Sequence, residues 1–146
     1  MVVKTFKGLL ADNGVDRIRL QTIQGKVGYR IVKLQVIGGA PGAVNYEAIL
    51  TINKKTFTPE TTIDFTDSDV LGAVFYSGNS AANNYPTSQV IIFDNEIFNQ
   101  DIYIGLNDLQ NNTMNYYMEL EVVPLTDLGA KYTTIKDLRT QGPAGY

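Results

Sequence analysis

Apolar residues recur at every second position along much of this chain, and no segment carries the i, i+3, i+4, i+7 spacing of an amphipathic helix over three turns. In Arg30-Ile31-Val32-Lys33-Leu34-Gln35-Val36-Ile37, the residues Val32, Leu34 and Val36 fall on one face and Lys33 and Gln35 on the other. Residues 45–53 repeat the pattern with Tyr46, Ala48, Leu50 and Ile52 set against Glu47 and Thr51. Residues 116–122 set Tyr116, Met118, Leu120 and Val122 against Glu119 and Glu121. Successive side chains of a strand point to opposite faces of its sheet, so each run reads as a strand with one buried face. Further β-rich runs lie at 2–6, 17–23, 61–65, 70–76, 89–93, 101–106 and 132–135.

Turn chemistry separates these runs. Asp12-Asn13-Gly14, Gln24-Gly25, Gly38-Gly39-Ala40-Pro41-Gly42, Asn53-Lys54-Lys55, Asp67-Ser68-Asp69 and Gln110-Asn111-Asn112 each stand between two of them. Short strands at regular turn spacing predict an all-β fold, an antiparallel β-sandwich of jelly-roll or Greek-key type with about eight to ten strands, a closed barrel being the alternative. The predicted core is Val32, Leu34, Val36, Leu50, Ile52, Val74, Ile92, Ile104, Met118 and Leu120. At 146 residues the chain is one domain long enough to bury a core without disulfides or metals. The sandwich is assigned to residues 1–139 and a flexible C-terminal arm to 140–146, with one short helical turn at 126–130. Residues 77–88 form a twelve-residue polar stretch that reads as a projecting loop.

Composition narrows the chemistry. The chain has no Cys, which removes thiolate nucleophiles, Cys-ligated zinc, iron–sulfur clusters and disulfides together. It has no His, which removes the commonest general base and transition-metal ligand. No catalytic residue and no cofactor-binding motif is assigned: the glycines at 38–42 precede a strand, whereas a phosphate loop precedes a helix. Asp64, Asp67 and Asp69 place oxygen ligands at loop spacing and are the candidates for calcium, set against turn formation by Asp67 and Ser68 with Asp69 as its cap. No Gly and no closing Glu complete an EF-hand, and the expectation is that folding needs no metal. Asp94, Glu96 and Asp101 form a second acidic patch, a carboxylate arrangement of the kind glycosidases use. The absence of Trp speaks against a sugar-stacking cleft there, and the chain is expected not to be an enzyme.

The surface is the remaining source of function. Twelve Lys and Arg are scattered against fifteen Asp and Glu, for a net charge of −3, and no clustered basic footprint for nucleic acid is present. No apolar run approaches the ~20 residues of a membrane span, and the opening residues 1–14 lack the apolar core of a signal peptide and read as mature sequence. Tyr29, Tyr46, Phe75 and Tyr116 lie in alternating strands and belong to packing. Tyr85 in the polar stretch and Gly142, Pro143 and Tyr146 in the arm have no strand to pack in and are the candidate interaction residues. Asn111-Asn112-Thr113 reads as a turn.

Residues 89–139 carry a resemblance. Phe98-Asn99-Gln100-Asp101, the strand Asn115-Tyr116-Tyr117-Met118-Glu119-Leu120-Glu121 and the closing Thr134-Ile135-Lys136-Asp137-Leu138-Arg139 resemble the C-terminal half of small structural proteins of marine tailed phages. That resemblance implies a non-enzymatic virion protein that decorates or cements the outside of a capsid. Its implied partners are the major capsid protein and further copies of itself, a trimer being favoured. The alternative is a glycan- or receptor-binding sandwich, recognisable by an aromatic-lined groove with convergent polar groups.

Overall fold

The computed structural model describes residues 2–20, 26–79 and 84–125, with the side chains of Asn84 and Tyr85 excepted. They hold eight strands and no helix: β1 (Val2–Leu10), β2 (Val15–Ile18), β3 (Val27–Gly38), β4 (Tyr46–Asn53), β5 (Val70–Asn79), β6 (Asn84–Ile92), β7 (Ile102–Asp108) and β8 (Met114–Pro124). A three-stranded sheet in the order β1-β8-β3 faces a five-stranded sheet in the order β2-β7-β4-β5-β6. Every pairing is antiparallel, which makes the fold a β-sandwich. The expectations for 126–130 and 132–135, and the arm with Gly142, Pro143 and Tyr146, lie outside the described residues.

The core is the meeting of the two inner faces. β8 contributes Met114, Tyr116, Met118 and Leu120, β4 contributes Tyr46, Ala48, Leu50 and Ile52, and β7 contributes Ile102, Ile104 and Leu106. Each set is an alternating series, so the period of two in the sequence translates directly into an inward row. Tyr46 is buried whole because Gly38 of β3 has no side chain: a Cβ there would overlap the Tyr46 ring. The Tyr46 hydroxyl then accepts the Ala40 N–H at 2.7 Å, and its ring meets Tyr76 edge-on at 5.1 Å. A phenol so placed keeps its polar end satisfied inside the core.

β3 departs from the simple alternation. Ile31 stands opposite Leu120 but Lys33 stands opposite Glu119, so Val32 is an extra residue in a β-bulge. The bulge shifts the inward phase by one: Tyr29 and Ile31 are buried before it and Leu34 after it. Val32 is therefore only half-buried, against the expectation that it belongs to the core. Val36 and Ile92 pack against the core without being sealed in it. Leu34, Leu50, Ile52, Val74, Ile104, Met118 and Leu120 are buried as expected.

Two other expectations are corrected. The run at 61–65 is not a strand: residues 54–69 form an irregular connection from β4 to β5, with Phe57 and Pro59 lying on Gly105 at the outer face of the larger sheet. A side chain at 105 would occupy the place of the Phe57 ring, whose nearest atom is 2.6 Å from a Cβ built there. The polar stretch 77–88 is mostly strand: β5 and β6 pair from Gly72↔Ile92 out to Asn79↔Asn84. The stretch expected as a loop continues the β5–β6 ladder, with Gly78 and Asn79 in β5 and Pro86 tolerated because β6 is an edge strand. Phe75, expected in packing, faces outward and is exposed, since it alternates with the buried Val74 and Tyr76.

Replacing Leu34 by Ala is expected to cost about 2–5 kcal/mol. Val32→Ala should cost distinctly less, because the bulge holds Val32 out of the core. Equilibrium urea unfolding of the two variants measures the difference.

Candidate functional site

The outer face of the three-stranded sheet is built from the residues that alternate with the core. Register places four cross-strand rows on it: Leu9–Asn115–Ile37, Lys7–Tyr117–Gln35, Thr5–Glu119–Lys33 and Val3–Glu121–Arg30. The face has two halves. In one, Arg30 Nε donates to Glu121 Oε2 at 2.5 Å, Lys33 Nζ stands 3.9 Å from Glu119, and Tyr117 donates its hydroxyl to the same Glu119 oxygen at 2.7 Å. The bond to Glu119 raises the Tyr117 phenol above its ordinary range. In the other half, Leu9 and Ile37 are 57% and 55% exposed at the end of the sheet.

That apolar end borders a cleft of about 860 Å³, which reaches Ser88 and Val90 of β6 and is also lined by Tyr116 and Tyr117. Tyr116 ties the two sheets together there by donating its hydroxyl to Asp16 of β2 at 3.0 Å. Burial first, and then the charge of Asp16, push the Tyr116 phenol well above its ordinary value. A second apolar patch lies on the opposite side of the molecule: Phe75 and Ile91, 43% and 42% exposed, sit on the outer face of the five-stranded sheet. Large apolar side chains thus project outward from both sheets.

The sequence candidates land apart from these surfaces. Asp64 Oδ1 accepts both the N–H and the hydroxyl of Thr66, which hold its carboxyl below the usual range. Asp67 Oδ1 accepts the Asp69 N–H at 2.9 Å, and Asp69 is buried against Lys55 at 2.9 Å. The turn reading of Asp67 holds, while Asp69 serves as an ion-pair partner where a cap was expected. Among the described residues no group of three or more acidic side chains is disposed to hold a metal. In the second acidic patch, Glu96 stands 3.6 Å from Lys54 and Asp101 accepts from Arg17 at 2.7 Å, so both carboxylates face cations. Tyr85 lies in β6, and its side chain is outside the description.

Of Leu9, Ile37 and Tyr117, only Tyr117 carries a signal in the sequence. Tyr117 falls in the same phase as Glu119 and Glu121, and an aromatic on the wet side of a strand is a signal of contact. Leu9 and Ile37 gave no such signal, because their facing depends on strand ends and on the bulge at Val32.

No protein-family profile matches the chain, and no curated protein matches it in sequence. Among solved structures it is similar to the crystal structure of the Yersinia pseudotuberculosis-derived mitogen, at 10% identity and a TM-score of 0.32, over 86% of this chain and 87% of that one. A likeness of that extent carries no argument about function. No helix among the described residues is long and apolar enough to cross a membrane.

Because the folded Tyr116 phenol keeps its proton where the unfolded one releases it, its stabilising contribution is whole below pH about 10 and is lost as pH rises through the folded value. Tyr116→Phe is expected to lower stability at neutral pH by about 1.5–3 kcal/mol, leaving Asp16 without its donor, and to flatten the alkaline limb of the stability profile. Melting curves in EDTA and in calcium are expected to coincide, and a calcium-dependent rise would restore the acidic turn as a site.

Proposed function

We propose that this protein is a non-enzymatic structural subunit of a phage particle, a decoration or cement protein that binds the outside of the capsid as a homo-oligomer. The observation that carries the reading is the pair of outward apolar patches, Leu9 with Ile37 on one sheet and Phe75 with Ile91 on the other. Exposed apolar surface bordered by polar residues marks a place where another protein docks. A subunit embedded in a particle has neighbours on more than one side. Two unlike patches suit head-to-tail contacts between copies, and a trimer is the form favoured from the sequence. The resemblance of residues 98–101, 115–121 and 134–139 to phage structural proteins supports the same reading.

Attachment rests on these faces more than on charge. The ion pairs Arg30–Glu121 and Lys33–Glu119 neutralise one another within the sheet, which leaves little field to steer docking. Repetition over a particle raises the effective concentration of each contact, so single contacts need not be strong.

The second reading, a glycan- or receptor-binding module, draws on the cleft where Tyr116 and Tyr117 stand beside Gln35 and Asn115. Co-sedimentation with purified capsids separates the two. The double variant Leu9→Lys/Ile37→Lys is expected to keep its melting temperature and to lose capsid binding by about tenfold or more. Truncation after Thr140 tests the arm with Gly142, Pro143 and Tyr146 in the same assay. Unchanged binding by both variants, with a monomer in sedimentation equilibrium at high micromolar concentration, would hand the case to the glycan reading.

A further inference from the structure

A smaller cleft, about 310 Å³, opens on the outer face of the five-stranded sheet, apart from both apolar patches. Its floor is the cross-strand pair Arg17–Tyr103, on β2 and β7, and its wall is Lys54-Lys55-Thr56 where the chain leaves β4. Gln100 and Asp101 close the third side. Three cations therefore line it against one carboxylate, in a chain whose net charge is −3.

Each cation is fixed in place. Arg17 sends Nε and one terminal nitrogen to Asp101 Oδ2 at 2.7 and 2.6 Å, and the other oxygen of Asp101 accepts the Leu20 N–H at 2.7 Å. The Arg17 side chain remains 49% exposed, and its guanidinium carries five donors in all. Lys55 is held by Asp69, and Lys54, only 2% exposed, by Glu96. Neither Asp69 nor Glu96 lines the cleft. The positive groups are thus preorganised at the cleft, and an incoming anion need not order them.

The neutral groups decide which anion fits. Thr56, Gln100 and Tyr103 bring a hydroxyl, an amide and a phenol, each able both to donate and to accept, which matches the hydroxyls of a sugar. The Tyr103 ring adds a flat apolar surface for a sugar ring. Asp101 at the margin disfavours a dense dianion. The volume is at the low end for small-molecule sites and suits one ring with its substituents.

We propose that this cleft binds a sugar carboxylate of uronic or sialic type. The carboxylate meets Arg17 and Lys55, and the ring hydroxyls meet Thr56, Gln100 and Tyr103. Such a site would operate whether or not the protein rides on a particle.

The test is a titration of the isotope-labelled full chain, followed by amide chemical shifts, with sodium glucuronate and with N-acetylneuraminate. Glucose, acetate and sulfate are the comparison probes. Saturable shifts at Arg17, at 54–56 and at 100–103 are expected with one of the two acids, about tenfold stronger than with glucose or acetate. Tyr103→Phe, which leaves the Arg17–Asp101 pair in place, should weaken that binding several-fold with unchanged melting temperature; Lys55→Gln should weaken it as well, at a lower melting temperature because buried Asp69 loses its partner. No shift at these residues with either acid overturns the proposal. Sulfate or acetate binding as tightly as the sugar acids overturns it as well, because charge alone would then explain the cleft.

Discussion

The fold depends on burying one face of β8 against the inner faces of β4 and β7. Met118 and Leu120 on one side, and Ile52, Ile104 and Leu106 on the other, are sealed from water, each 0% exposed. Burial of this kind is strong but has no direction. It draws two sheets together without fixing how they are joined or where each strand begins.

Direction comes from polar groups at the corners where the chain passes between sheets. Asp108, buried at the end of β7, accepts N–H groups from Glu47, Gln110 and Asn112, and so forms the turn that delivers the chain to β8. Its own N–H goes to Asp12 at 2.8 Å, in the corner between β1 and β2. Asn13 and Asn111 take left-handed backbone conformations at those two corners, which Asn adopts more readily than other side-chain-bearing residues. Tyr116 and Asp16 add a bond that runs from one sheet to the other. These corners also place the outer faces, because the residues facing out are whatever the register leaves over.

How much of this could be read in advance follows from the kind of information each feature needs. The sandwich and seven of its core positions were legible because an inward row is a local, periodic signal. Val32 was not, since a bulge is set by the partner strand: one residue of β3 has no counterpart on β8. The run at 61–65 has strand-like residues but no neighbour to pair with, and tertiary context decides such cases. The polar cleft was the least visible. Arg17 and Tyr103 are far apart in sequence, and only the pairing of β2 with β7 makes them neighbours. Lys54-Lys55 was noticeable as a pair of cations, but nothing local says that the first would be buried and the second half-exposed.

The smaller sheet ends at β1 on one side, where Lys4 and Lys7 are exposed, and at β3 on the other, where Tyr29 exchanges both backbone hydrogen bonds with Phe98. The larger sheet ends at β2, only four residues long, and at β6, which contains Pro86. Lysines, a short strand, a proline and a covering segment are the devices by which sheets avoid extending into one another. Each border thus carries at least one feature that discourages continuation by hydrogen bonding. Edges guarded in this way disfavour strand-to-strand joining between copies, so a crowded solution of the chain is less prone to seed fibres.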